Sequence, residues 1–231
     1  MCGRFTLITP AETIAEQFQL PKVPSLSPRY NIAPTQPVAA VRQPPENEGR
    51  ELAMLRWGLI PFWAKDPKIG ARMINARSET VAEKPAFRAA FRQRRCLVLA
   101  DGFYEWQRLE RGKQPFYIRW RDEGPFAIAG LWEHWQGPEG EIESCTLLTT
   151  QPNDLVRPLH NRMPVILHAD DYDLWLDRSV QEPALLQPLL RPYSSADMLA
   201  YPISTWINKP ENDSPRCIEP LAQQGQIPFK S

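Results

Sequence analysis

Cys96-Leu97-Val98-Leu99-Ala100-Asp101-Gly102-Phe103-Tyr104-Glu105-Trp106-Gln107-Arg108 is the stretch from which the fold is read. The apolar run 96–100 has the composition of a buried strand, and the aromatic-rich run 102–108 that of a second. Downstream, 115–120, 126–133 and 142–150 repeat this pattern between turn residues. Upstream, 38–42 and 52–57 read as strands on either side of the polar, proline-bearing loop 43–50. Residues 72–77 form a short strand or extended segment, 164–167 another short strand, and 201–205 close the ordered core. The expected helices are few and short. Thr9 caps the first, Pro10 takes its first turn and Glu12 completes a capping box. It runs to about Gln19 with Ile14, Ala15 and Phe18 on one face. Ser78 caps a helical turn, and 86–93, 170–177 and 181–190 supply further helices, with a turn-helix segment at 151–159. There is no βαβ rhythm, no G-x-G-x-x-G and no Walker lysine motif, which excludes the common nucleotide-cofactor folds. The expectation is one α+β domain over 2–220. Mostly antiparallel twisted sheets form an open barrel-like core with flanking short helices, and 221–231 is a loose tail.

Composition agrees with a globular protein. At 231 residues roughly 70% of the unfolded surface can be buried, so neither a disulfide nor a metal is needed to hold the fold. The 42% hydrophobic and 23% charged content excludes disordered, collagen-like and coiled-coil chains. The 25 prolines disfavour a long-helix bundle and favour short strands joined by stiff loops. No apolar run approaches the roughly 18 residues of a membrane span, and the amino terminus lacks the apolar core of a signal peptide. Four widely spaced cysteines without a C-x-x-C pair argue against a zinc knuckle or thioredoxin-like site and suit a reduced, cytoplasmic protein. Three histidines without HExxH-type spacing give no metal constellation, and no cofactor is expected. The net charge is zero, yet residues 1–120 hold 19 Lys+Arg against 11 Asp+Glu, and the remainder 8 against 16. Two halves that attract each other across a core explain this, and so does a basic face that meets a polyanion.

Cys2 is the residue with the most distinctive chemistry. Methionine before a small residue is commonly removed, and a terminal Cys2 would then carry an amine and a thiol on adjacent carbons. The α-amine titrates near ~7.7–8.0 and the thiol near ~8.5, so both have reactive fractions at neutral pH. With an aldehyde, the amine condenses to an imine and the tethered sulfur closes on the same carbon, giving a five-membered thiazolidine. Three other stretches carry candidates. Asn75 and Arg77 stand on one side of an extended segment, two residues apart. Glu105 lies between aromatics, where desolvation raises a carboxyl pKa into the acid/base range. His160 sits on a constrained turn. Each also has a purely structural reading: a cap at Asn75, an arginine partner for Glu105, a backbone carbonyl for His160. Cys96 and Cys145 read as inert core residues, Cys217 as a small side chain near the tail, and His134 and His168 as structural or surface groups. Trp57, Trp106, Trp132 and Trp175 read as core.

Taken together, Met1-Cys2-Gly3-Arg4-Phe5, Arg29-Tyr30-Asn31-Ile32-Ala33-Pro34, Arg56-Trp57-Gly58-Leu59-Ile60-Pro61, Ile74-Asn75-Ala76-Arg77-Ser78-Glu79-Thr80, Asp101-Gly102-Phe103-Tyr104-Glu105-Trp106 and His160-Asn161-Arg162-Met163-Pro164 resemble the SRAP (SOS-response-associated peptidase) family. The resemblance extends to about residue 210 through Pro202-Ile203-Ser204 and Asn208. It implies a sensor and shield of abasic sites in single-stranded DNA, which removes its own Met1 and forms a thiazolidine crosslink, with AP lyase chemistry as a side activity. By the same resemblance Cys2 is the nucleophile, Glu105 positions the amine and moves protons, His160 is a general acid/base on the sugar oxygen, and Asn75 orients the sugar. Arg4, Arg77 and Arg162 hold flanking phosphates, while Pro34 and Trp63 wedge and stack on bases. Ala64 departs from the second aromatic that relatives often show, and the insertion 65–71 loosens the placement of Trp63. The implied protein is a monomer, cytoplasmic and nucleoid-associated on DNA damage, with no membrane partner. Two other functions stay open on residues alone: a peptidase acting in trans through Cys2, and a non-covalent nucleic-acid-binding module.

Overall fold

The computed structural model describes residues 2–44, 49–138 and 140–221. In chain order its strands and α-helices are β1 (Phe5–Leu7), α1 (Ala11–Gln17), β2 (Arg29–Ile32), β3 (Pro37–Arg42), β4 (Glu51–Trp57), β5 (Asn75–Arg77), α2 (Arg88–Gln93) and β6 (Arg95–Ala100). They continue with β7 (Gly102–Arg108), β8 (Lys113–Trp120), β9 (Phe126–Gly137), β10 (Gly140–Thr150), β11 (Met163–Pro164), α3 (Tyr172–Leu176), α4 (Pro183–Leu186) and β12 (Met198–Pro202). The architecture is α+β, as the sequence predicts.

The bend at Asp101 decides how these strands are shared between two sheets. β6 ends at Ala100 within a larger sheet of order β11-β10-β4-β3-β6-β9, and β7 begins at Gly102 within a smaller one of order β12-β8-β7-β1-β2. Asp101 is buried, and its carboxylate accepts the backbone N–H groups of Ile8 and Thr9 and the Thr9 hydroxyl. These charge-assisted bonds fix the crossing. Gly102 is required here because a Cβ would strike the Tyr117 ring. In the larger sheet β9 also pairs along β10, so β10, β4, β3, β6 and β9 form a ring that closes on itself. Closure leaves those strands no free edge. The pairing is antiparallel except where β10 runs parallel to β4 and β5.

All six residues of β6 are buried, and Phe5, Trp57, Phe91, Phe126 and Trp175 are fully enclosed in the main core. Each such side chain contributes roughly 1.5–3 kcal/mol of transfer free energy. A smaller cluster of Tyr104, Tyr117, Ile203, Ile207 and Cys217 seals the five-stranded sheet against the segment after β12. Among the described residues no helix is long and apolar enough to cross a membrane.

Several local expectations are corrected. Thr9 does not cap α1: Pro10 holds that position without a side-chain bond, and the Thr9 hydroxyl is taken by Asp101. The sequence pattern gives no sign of β1 or β2, since runs of three and four residues carry too little periodicity. Residues 154–159 form turns rather than a helix, and 78–83 a run of turns. The helix expected at 181–190 is a four-residue α4 followed by a 3₁₀ turn, Gln187–Leu189, with Pro188 inside it. A 3₁₀ turn, Pro67–Arg72, occupies the start of the predicted strand at 72–77, which shortens to β5. The last strand is β12, ahead of the predicted 201–205. From residue 222 on, the tail expected at 221–231 lies outside the described residues.

Candidate active site

β1 exists because it is sandwiched between β2 and β7. Phe5 stands opposite Phe103 and Thr6 opposite Gly102, and the Tyr104 N–H donates to Arg4 O at 3.0 Å. Continued by three residues, this register carries the amino-terminal segment along β7 toward Glu105. Cys2 is fully buried there, its Sγ 4.0 Å from Arg4 O. Asn75, at the head of β5, donates from Nδ2 to the Cys2 carbonyl at 2.9 Å. The parallel pairing that sets Asn75 opposite Leu147 of β10 delivers it. The other amide atom, Asn75 Oδ1, is buried and accepts no hydrogen bond.

Glu105 is 2% exposed on β7, flanked by Tyr104 and Trp106. Burial pushes its carboxyl up to about 7, so it is poised to accept or return a proton near neutrality. Burial, and secondarily the Glu105 charge, push the Cys2 thiol well above its ordinary range. The resting sulfur is therefore a thiol that needs a proton acceptor when it reacts.

His160 hangs on the turn that follows β10, with its own N–H bonded to Val156 O at 2.9 Å. Its Nδ1 accepts the Arg162 N–H at 3.0 Å, which assigns the proton of the neutral ring to Nε2. Burial, aided by the Arg108 and Arg162 charges, holds this imidazole below its usual pKa and so neutral. Glu105 and His160 line one open cleft of about 790 Å³ together with Trp106 and Asn208. The Trp106 Nε1–H donates to Asn208 Oδ1 at 2.8 Å. Trp106 thus belongs to the cleft wall, a correction to its reading as core; Trp57, Trp132 and Trp175 are buried.

The predicted arginines fare differently. Arg77 ends β5 with its side chain exposed, opposite Thr149. Arg162 reaches the same Thr149 and forms a two-pronged ion pair with Glu79, at 2.6 and 2.9 Å. That pair lowers the Glu79 pKa. Arg4 turns inward: Nη1 bonds Asn31 Oδ1 at 2.8 Å and Ile207 O at 2.9 Å, and Nη2 bonds Asn208 O at 3.2 Å. It clamps the carboxyl-terminal segment to β1 and β2.

Pro34 and Trp63 stand on loops outside the cleft lining. Trp63 is 50% exposed and its neighbour Phe62 61%. Their loop is firmly held, because Trp135 Nε1 donates to Ala64 O at 2.7 Å and Gly58 backs onto Gly70. The structure therefore gathers Cys2, Asn75, Glu105 and His160 around the middle of β7, brings Arg77 and Arg162 to Thr149, and leaves Pro34 and Trp63 outside the cleft lining. Sequence reasoning missed Trp106 and the cleft cations Arg108, Lys113 and Arg157, for which charge alone was the signal.

The fold and this site define a class, and comparison with known proteins agrees. The model of the family "SOS response associated peptidase (SRAP)" matches residues 1–210, and the chain belongs to that family. Among curated relatives, "Abasic site processing protein YoqW" of Bacillus subtilis (strain 168) is 46% identical over 224 residues, spanning 95% of this chain and 99% of the relative. "Abasic site processing protein HMCES" of Gallus gallus is 33% identical over 225 residues, covering 84% of this chain and 66% of that protein. A crystal structure of a Bacteroides thetaiotaomicron protein superimposes with a TM-score of 0.85 at 27% identity, covering 96% of this chain and all of that one.

Proposed function

We propose that the chain processes abasic sites in single-stranded DNA, capturing the ring-opened sugar aldehyde as a thiazolidine through the amine and thiol of Cys2 once Met1 has been hydrolysed away. The relatives named as abasic site processing proteins support the substrate class. The observation that carries the chemistry is the convergence of Cys2, Asn75 and Glu105 beside the His160 cleft.

The steps balance without a cofactor. The Cys2 amine adds to the aldehyde carbon, and loss of one water gives the imine. The thiol sulfur then adds to the same carbon while its proton ends on the imine nitrogen. Glu105, with a pKa near the working pH, relays these protons. His160, neutral with its proton on Nε2, donates to the sugar oxygen as the ring opens. Asn75 Nδ2 fixes the Cys2 backbone, and its unused Oδ1 is free to accept a sugar hydroxyl. Elimination from the imine, before sulfur closes, accounts for a lyase side activity.

Arg77 is exposed and ready for a phosphate. Arg162 can take one only by exchanging Glu79, and Arg4 acts chiefly by holding the segment under the site. Trp63, with Pro34, stacks on and parts neighbouring bases. The protein works as a cytoplasmic monomer that moves to damaged nucleoid DNA. Purified protein lacking Met1, mixed with an abasic single strand, is expected to give a heat-stable band on a denaturing gel that Cys2→Ser abolishes. A band persisting in that variant overturns the reading, and release of peptides in trans would favour a peptidase instead.

A further inference from the structure

The cleft lined by Glu105 and His160 also has a basic part. Arg108, Lys113 and Arg157 line it, against Glu105 as the one carboxylate among the described residues of the lining. Arg108 and Lys113 stand directly opposite each other where β7 and β8 join, and both are exposed. Like charges facing across a strand pair oppose folding. The hairpin would fold as well or better with a carboxylate at either place, so this pair calls for a ligand. Arg157 forms an exposed ion pair with Asp154, at 3.0 Å, which holds it weakly. Arg77 and Arg162, which meet at Thr149, lie outside this lining.

We propose that this basic part is a second phosphodiester track, in which Arg108, Lys113 and Arg157 grip DNA backbone leaving the reacting sugar, separate from the phosphates that Arg77 meets outside the lining. The proposal rests on the abasic-DNA reading above. Arg108 lies three residues beyond Glu105, roughly 10 Å along an extended strand. That distance equals about three stacked nucleotides at ~3.4 Å each. The phosphates belong either to the continuing strand or to a complementary strand annealed there.

The test is the salt dependence of binding between 50 and 200 mM salt, using oligonucleotides with a stable cyclic-ether abasic analogue that cannot crosslink. Arg108→Ala/Lys113→Ala and Arg157→Ala are compared with the unaltered chain. Four probes are used: a full single strand, a strand cut back on either flank, and one with a complementary strand on one flank. Removing one phosphate-gripping cation should lower the log–log slope by about 0.7, so the double variant should lower it by about 1.4. Cutting back the flank held by the cleft should weaken the unaltered chain and erase its difference from the variant. A difference that emerges only with the annealed strand assigns the track to that strand. Restoring charge with Arg108→Lys/Lys113→Arg should restore the slope, which separates phosphate binding from misfolding. Equal slopes on all four probes overturn the proposal. Crosslinking of a reactive abasic strand by the unaltered chain is scored in parallel; its failure sinks the functional reading, while the slopes still decide the cleft.

Discussion

Glu105→Gln offers the sharpest check on the electrostatics of the site. Burial raises this carboxyl from its ordinary 4.5 to about 7, so the folded protein resists its ionisation while the unfolded chain does not. Below pH 4.5 both states carry the proton, and Glu105 costs nothing. Between pH 4.5 and 7 the unfolded chain loses its proton first, so stability falls as pH rises; above 7 the loss is complete. At 1.36 kcal/mol per pH unit the full loss is about 3 kcal/mol. Glutamine keeps the shape and cannot ionise. Urea unfolding at closely spaced pH values from 4 to 8.5 should therefore show the variant gaining about 3 kcal/mol on the unaltered chain across that window. Crosslinking should follow the same titration in the unaltered chain and lose it in the variant. Parallel stability curves, with a gap that does not change with pH, would refute the argument that desolvation tunes this group.

Asn31 donates to the carbonyls of Ile207, Lys209 and Asn212 at 3.2, 2.9 and 2.8 Å and accepts from Arg4. Asn31→Ala should cost roughly 2–3 kcal/mol, read as a lowered melting temperature; an unchanged melt would show that the clamp is dispensable. Gly58 has φ +129° and backs onto Gly70 O, 2.6 Å from where a Cβ would sit, whereas Gly112 at φ +83° has open space around it. Gly58→Ala should thus destabilise by about 2 kcal/mol or more and Gly112→Ala by less, and equal melts would contradict the packing account. Arg77→Ala should weaken DNA binding and lower its salt slope by about 0.7; an unaltered slope would remove Arg77 from the phosphate-binding set.

Much of the fold was legible because its strands carry strong local signals. The run at 96–100 became β6 with every residue buried, and 102–108 matched β7 to the residue. The capping box at Thr9 failed because Asp101, some ninety positions away, competes for the same hydroxyl. Glu105 was legible in outcome rather than in cause: it is buried and its carboxyl raised, yet Tyr104 and Trp106 alternate with it along β7 and join the smaller cluster, so burial by the whole fold does what the sequence credited to its neighbours. Arg4 was not: its partner carbonyl lies 203 residues along the chain, and a guanidinium reads alike whether it faces a phosphate or the interior.

Residue order alone determined which chemistry is available: a cysteine at position 2, a carboxyl among aromatics, a histidine on a stiff turn. Tertiary structure alone decided which groups meet. The three-residue β1 is held by neighbours β2 and β7, and it brings Cys2 to Asn75. The turn after β10 in one sheet brings His160 into the same cleft as Glu105 of the other, and Arg108, Lys113 and Arg157 line it too. Local patterns report local burial, whereas desolvation and charge at a point are sums over everything packed around it.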